Sequence, residues 1–125
     1  MNSTIKFPCP CCGYVVHDDV GSYMICPVCW WEDDLIQLRW PTLRGGANKP
    51  SLVEVRKNYR SSGAYGSDPR IVSLTSSYEK IEEKEEGFRA VDVEKDNFEA
   101  EYDQLDPWPE DRSTLYWWRS TFWRL

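Results

Sequence analysis

The fold is decided by residues 9–29, which read CPCCGYVVHDDVGSYMICPVC. They contain two C-x-x-C pairs, Cys9 with Cys12 and Cys26 with Cys29, and 13 residues separate the pairs. Two sulfurs on one tight turn can bind the same ion, and a short hairpin between the turns brings both pairs together. The pattern therefore predicts a tetrathiolate metal site with these four cysteines as its ligands.

The residues between the pairs predict the hairpin. Residues 14–16 and 22–25 are rich in aromatic and aliphatic side chains, which favours two strands. Asp18, Asp19 and Gly21 lie between them and are typical of a turn.

The sequence leaves the identity of the ion open between zinc and iron. Zinc is the usual ion of closed four-cysteine sites in proteins. An odd count of five cysteines also argues against a disulfide framework. The knuckles at 12–14 and 26–29 resemble those of rubredoxin, which hold iron and transfer electrons. The prediction is one Zn²⁺ per chain, with iron as the alternative.

Three other groups near the site receive structural interpretations. Cys11 lies between two ligands, so its side chain is expected to point away from the ion. His17 is the single histidine of the chain, and four thiols leave no need for it as a ligand. Glu32, Asp33 and Asp34 have no base or nucleophile at a recognisable spacing, and we interpret them as a solvated turn after the second knuckle.

The residues around the two pairs resemble the cysteine-rich CPCC proteins. The resemblance runs over about residues 7–66 and rests on FPCPCCGY at 7–14, ICPVCWWEDD at 25–34 and GGAN at 45–48. It implies a zinc-ribbon-like unit packed against the helix that follows it. The family is mostly bacterial and largely without an assigned activity, so the resemblance implies no reaction. Residues 67–125 lie outside it.

Charge is segregated along the chain. The 125 residues have a net charge of -6, but residues 79–111 alone contain fourteen acidic and four basic residues, a net charge of -10. Such a segment repels the phosphate backbone of nucleic acids and attracts basic proteins. The predicted partner-binding residues lie in this segment and in the aromatic tail: Glu82, Glu83, Glu85, Glu86, Asp92, Glu94, Trp117 and Trp123.

Outside the cysteine unit the sequence predicts mainly helices. Ser51 and Glu54 form a capping box ahead of a helix at 52–61. Residues 70–74 are interpreted as a strand, and residues 76–86 as a charged helix that ends at a glycine.

Three further segments are less regular. Residues 35–50 contain prolines and paired glycines and are interpreted as a loop. Residues 91–105 fit a helix with Phe98, Tyr102 and Leu105 on one face. The tail from residue 110 onward could be a helix or a strand, and its aromatic residues could form core or interface.

These predictions give an α+β fold. A small zinc-ribbon-like N-terminal hairpin is expected to pack with a few helices in a single domain. Within it, residues 1–66 form the cysteine unit with its following helix, and residues 67–125 form the acidic segment and the Trp-rich tail.

Composition and motifs narrow the function. No apolar run approaches the roughly 18 residues of a membrane span, and no hydrophobic signal core is present, which predicts a cytoplasmic protein. No triad, base or open metal position indicates an enzyme. We expect a zinc-stabilised, non-catalytic binding protein, a bacterial immunity protein or antitoxin that neutralises a basic cognate toxin. The alternatives are a zinc-ribbon nucleic-acid-binding protein and a rubredoxin-like electron carrier.

Overall fold

A two-stranded hairpin opens the fold in the computed structural model, which describes residues 6–100 and 106–125. Strand β1 (Phe7–Pro8) pairs antiparallel with strand β2 (Val15–His17). Because the first cysteine pair lies between these strands, the pair itself is the turn of the hairpin.

This hairpin differs from the predicted one. Strand β2 overlaps the strand predicted at 14–16, but residues 22–25 contain no strand, and Ile25 forms a single antiparallel bridge with Glu32. Each C-x-x-C turn already reverses the chain. The residues on either side of one turn therefore meet each other and do not pair across the linker.

Helix α1 (Leu35–Arg39) follows the second cysteine pair. The Oδ1 atom of Asp34 caps it by accepting hydrogen bonds from the backbone N–H groups of Ile36 at 2.8 Å and Gln37 at 3.3 Å. The loop predicted at 35–50 is therefore wrong for its first five residues. A helix this short has too few residues for hydrophobic periodicity to reveal it.

Helix α2 (Leu52–Ser62) agrees with the helix predicted at 52–61. The backbone N–H of Glu54 donates to Ser51 Oγ at 3.2 Å, and the N–H of Ser51 donates to Glu54 Oε1 at 2.9 Å, which is the predicted capping box. Gly63 ends the helix in the left-handed conformation, with φ of 80°.

Helix α3 (Pro69–Ser77) replaces the strand predicted at 70–74. Asp68 caps its N-terminus by accepting a hydrogen bond from the N–H of Arg70 at 2.9 Å, and a proline fills the first helical position. The strand prediction rested on β-branched residues. The Asp-Pro start signal outweighs their strand preference.

The acidic segment after α3 runs along the hairpin, so the charged helix predicted at 76–86 is wrong; only its first two residues belong to α3. The N–H of Val15 donates to the carbonyl of Glu83 at 2.8 Å, and the N–H of Glu85 donates to the carbonyl of Gly13 at 2.8 Å. Pairing with the exposed edge of β2 satisfies these backbone groups without a helix.

The remaining C-terminal residues are largely irregular. Residues 91–100 form turns and not the helix predicted at 91–105, and of its predicted face Tyr102 and Leu105 lie outside the described residues. The tail has one 3₁₀ turn, Arg112–Leu115, in place of a long helix or strand.

The aromatic tail completes the hydrophobic core, which answers the question of core or interface that the sequence left open. Its buried residues join those of the cysteine unit and the first two helices: Val28, Trp31, Leu38, Leu52, Val55, Leu115, Tyr116, Trp117 and Phe122. The molecule is a single small α+β domain, as predicted; a boundary near residue 66 stays a prediction. Within residues 6–100 and 106–125, no helix has the length and apolarity to cross a membrane.

A buried ion pair connects α1 to the C-terminal half. Arg39 Nε donates to Glu99 Oε1 at 2.6 Å, Arg39 Nη2 donates to Glu99 Oε2 at 2.8 Å, and neither side chain is more than 1% exposed. The rings of Trp40, Trp108 and Trp123 lie 4.6–4.8 Å from the guanidinium carbon. The carboxylate and the three indole faces together compensate the buried positive charge.

Candidate metal centre

Four cysteine sulfurs converge on one point. The Sγ atoms of Cys9, Cys12, Cys26 and Cys29 all lie within 4.8 Å of one another. The distance is 3.6 Å between Cys9 and Cys29 and 3.7 Å between Cys12 and Cys26. A tetrahedral ion with metal–sulfur bonds of about 2.3 Å separates its sulfurs by about 3.8 Å, whereas a disulfide bond is about 2.05 Å long. The four cysteines are therefore positioned to bind one metal ion.

The two cysteine pairs are held by the same backbone arrangement. The carbonyl of Cys9 accepts a hydrogen bond from the N–H of Gly13 at 2.7 Å, and that of Cys26 accepts one from the N–H of Trp30 at 2.8 Å. Gly13 and Trp30, each directly after the second cysteine of its pair, have φ of 82° and 71°. This left-handed conformation suits glycine and strains tryptophan by about 1 kcal/mol or more.

Burial and the neighbouring thiols shift the pKa values of the four cysteines in opposite directions. Burial raises the pKa of the Cys9, Cys12 and Cys29 thiols, because a thiolate loses its water there. Hydrogen bonds from the neighbouring thiols, chiefly Cys12, lower the pKa of Cys26. A divalent cation would compensate the charge of four thiolates in this site, and an all-sulfur donor set suits zinc or iron better than magnesium or calcium.

A comparison with known protein families matches the part of the chain that contains the four cysteines. A family model described as Cysteine-rich CPCC matches residues 7–80, more than half of the sequence. The chain belongs to the cysteine-rich CPCC family. The match includes both cysteine pairs and all three helices, and it extends past residue 66, where the resemblance seen in the sequence ends. No curated protein matches the chain.

The CPCC motif also contains the fifth cysteine, which lies outside the cluster. Cys11 is fully buried, and its Sγ atom lies 3.7 Å from the carbonyl oxygen of Val55 in α2. The carbonyl of Cys11 accepts a hydrogen bond from Arg56 Nη1 at 2.7 Å. Cys11 therefore packs the first knuckle against α2, and its sulfur is not one of the four that converge.

The solvated turn predicted after the second cysteine pair is wrong for Asp33 and Asp34, which are buried because their carboxylates accept backbone hydrogen bonds that hold the CPCC unit together. Asp34 caps α1, and its Oδ2 atom also accepts a hydrogen bond from the N–H of Ala47 at 2.7 Å. Asp33 Oδ2 accepts one from the N–H of Ser22 at 2.8 Å, and burial raises the pKa of Asp33. His17 is buried, with Nδ1 at 3.1 Å from Ser22 Oγ, and lies outside the four-sulfur cluster.

One of the predicted partner-binding acids is held inside the fold. The carboxylate of Glu85 accepts hydrogen bonds from Arg119 Nη2 at 2.6 Å, from Arg119 Nε at 3.0 Å and from the indole N–H of Trp118. Burial acts to raise the pKa of Glu85, but these donors outweigh it and keep that pKa below its ordinary value. Glu85 therefore joins the acidic segment to the tail.

The other predicted acids lie at the surface, fully or half exposed: Glu82, Glu83, Glu86, Asp92 and Glu94. Glu82 accepts a hydrogen bond from the hydroxyl of Tyr78 at 2.7 Å. Asp92 Oδ1 accepts one from the N–H of Glu94 at 3.0 Å. These carboxylates are accessible to solvent and could therefore contact a partner.

The two tryptophans predicted to contact a partner lie in the hydrophobic core or against it. Trp117 is 2% exposed, and its indole N–H donates to the carbonyl of Arg89 at 3.1 Å. Trp123 is half-buried with its ring over Arg39. Trp117 is part of the core and Trp123 packs against it. Almost no surface of Trp117 is accessible to a partner.

Sequence reasoning missed the side chain that covers the first knuckle. Phe88 lies so close to Gly13 that an added Cβ there would be 2.4 Å from the phenyl Cδ2 atom. The guanidinium carbon of Arg56 lies 4.9 Å from the centre of the same ring. No spacing in the sequence connects these residues, because the contact arises only when residues 83–85 pair with the hairpin.

Proposed function

We propose that this chain binds one zinc ion through Cys9, Cys12, Cys26 and Cys29 and acts by binding a basic partner protein. Within that class, a bacterial immunity protein or antitoxin that neutralises a basic toxin fits best. Such a protein needs no catalytic group, because it acts by covering its partner.

Unpaired carboxylates on the surface carry the proposal. Glu79, Glu83, Glu86 and Glu94 are exposed, and none of them forms an ion pair within residues 6–100 and 106–125. Unpaired charge of one sign speeds the encounter with a partner of the opposite sign and penalises wrong partners. Rapid encounter is what a toxin neutraliser requires.

The metal centre supports a structural role for the ion. Each of its four cysteines is 0% exposed, and four thiolates complete a tetrahedral coordination sphere. A catalytic zinc site instead keeps one position for water or substrate. Zinc in this site would contribute to folding by holding the two knuckles together.

Elemental analysis of natively purified protein tests the metal. We expect one zinc per chain, loss of the metal in Cys12→Ser, and retention in the matched variant Cys11→Ser, whose sulfur lies outside the cluster. The sulfur spacing would also accommodate iron. A red protein with one iron per chain would contradict the zinc assignment and favour the electron carrier.

Charge reversal tests the partner-binding role. We expect affinity capture from the source cell to recover a basic protein, and Glu83→Lys with Glu86→Lys to slow its association about tenfold and flatten its salt dependence. Asp18→Lys with Asp19→Lys is the control, because it reverses two exposed charges at another position, where Asp18 pairs with Lys6. Glu85 is left unchanged, since it holds Arg119.

Two results would contradict the proposed function. One is that Glu83→Lys with Glu86→Lys binds the captured protein as fast as the natural sequence and the control variant do. The other is that no basic protein is captured while the protein is folded and metal-loaded.

A further inference from the structure

An apolar groove lies between the second knuckle and α3. It has a volume of about 470 Å³, and its lining comes from both units: Ile25, Pro27, Trp30, Leu74, Ser77 and Tyr78. We infer that this groove binds one large aliphatic or aromatic side chain from a lysine- or arginine-rich segment of a partner protein. The inference rests on the proposed function and names the surface that performs it.

Helix α3, which forms one wall of the groove, buries a polar side chain and exposes an apolar one. It buries the polar Thr75 at 3% exposure, while its neighbour Leu74 is 51% exposed. A helix that packs only against its own domain directs leucine inward and polar residues outward. Across the groove, Ile25 is 47% exposed, so both walls offer apolar surface that the domain itself does not cover.

The second knuckle holds an indole at the groove despite backbone strain. Trp30 has φ of 71°, in a position whose counterpart in the first knuckle is Gly13. Glycine would adopt this conformation without strain. Tryptophan gives the groove a broad aromatic wall instead, and aromatic side chains are frequent energetic anchors of interfaces.

Carboxylates flank the groove on both sides and identify the charge of its occupant. On the helix side, the hydroxyl of Tyr78, which lines the groove, donates to the carboxylate of Glu82. On the knuckle side, Ile25 and Glu32 are opposite each other in an antiparallel bridge, which directs both side chains to the same face. An apolar anchor flanked by basic residues complements this arrangement.

The test uses zinc-loaded full-length protein and a display library of random 12-residue peptides. We expect enriched peptides to carry lysine or arginine around one large apolar residue. Leu74→Ser should weaken their binding about tenfold. The matched control Ile36→Ser removes a similarly exposed aliphatic side chain, 42% exposed, from α1 and should leave binding unchanged. Replacing the apolar anchor of the peptide by glycine should weaken it as much as Leu74→Ser does.

Three results would overturn the inference: enriched peptides without basic residues, equal binding by Leu74→Ser and the natural sequence, and no enrichment at all. Self-association that Leu74→Ser abolishes would assign the groove to a second copy of the chain instead. The proposed function can fail separately. If a basic partner from the source cell binds Leu74→Ser as tightly as the natural sequence, the groove assignment is wrong while the partner-binding role remains.

Discussion

The glycine after the first cysteine pair meets a conformational and a steric requirement together. Gly13 has φ of 82°, and an added Cβ would lie 2.4 Å from Phe88. Gly63 has φ of 80° with nothing within 4 Å of an added Cβ. We predict that Gly13→Ala lowers the free energy of unfolding by about 3 kcal/mol and Gly63→Ala by about 1 kcal/mol.

Urea denaturation of both zinc-loaded variants measures this difference. The control Gly63→Ala reports the conformational strain alone, so the excess loss in Gly13→Ala reports the contact with Phe88. Equal losses would mean that the phenyl ring does not pack on the knuckle.

At the scale of single residues, the sequence predicted the four cysteines of the candidate metal centre. Each C-x-x-C pair is a local feature whose geometry depends on a few neighbouring residues. Positive φ at Gly13 agrees with its residue type, since glycine tolerates that conformation. The same conformation at Trp30 could not be predicted. A bulky side chain in the left-handed region is stable only when the surrounding fold requires it.

Among the elements, the ion pair of Glu85 and Arg119, which joins the acidic segment to the tail, responds to pH. The side chain of Glu85 is 18% exposed and that of Arg119 is 29% exposed. The pKa of Glu85 is below its ordinary value in the folded protein. The pair therefore stabilises the fold above the unfolded pKa of about 4.3 and loses that contribution as pH falls through the lower, folded pKa.

We predict that Glu85→Gln is less stable than the natural sequence at pH 6, by about 1–2 kcal/mol, and that the difference shrinks below about pH 4. Urea denaturation at several pH values measures it. Glu86→Gln, at the exposed neighbouring position, should show no difference at any pH. A difference that stayed constant into acid would contradict the ion pair.

The helices show which sequence signals are sufficient to predict the bounds of an element. Helix α2 was predicted nearly to the residue, because the capping box and the terminal glycine are local signals that agree with hydrophobic spacing. The charged stretch at 76–86 has helix-forming residues, but its backbone pairs with residues 13 and 15 of the hairpin. That pairing depends on a contact between distant parts of the chain, which a single sequence does not reveal.

Across the whole molecule, the buried pair of Arg39 and Glu99 joins the CPCC unit to the C-terminal half. We predict that Glu99→Gln destabilises the protein by about 3–5 kcal/mol, because it leaves the guanidinium charge buried without its carboxylate. The control Glu94→Gln changes an exposed acid and should alter stability by less than about 0.5 kcal/mol. Thermal unfolding of both variants measures the effect, and similar melting temperatures would show that the pair is not essential.

The Trp-rich tail decides whether the cysteine unit can fold without it. Leu115, Tyr116, Trp117 and Phe122 are each at most 6% exposed and belong to the same core cluster as the metal-binding cysteines. Losing even one large buried side chain typically destabilises a protein by about 3–5 kcal/mol, against a total stability of about 5–15 kcal/mol. We therefore predict that deletion of residues 113–125 gives insoluble protein or one without a cooperative thermal transition. Deletion of Leu125 alone, which is 87% exposed, should leave the melting temperature within a few degrees. If the longer deletion instead kept its metal and melted normally, the tail would be an interaction arm on an independently folded CPCC unit.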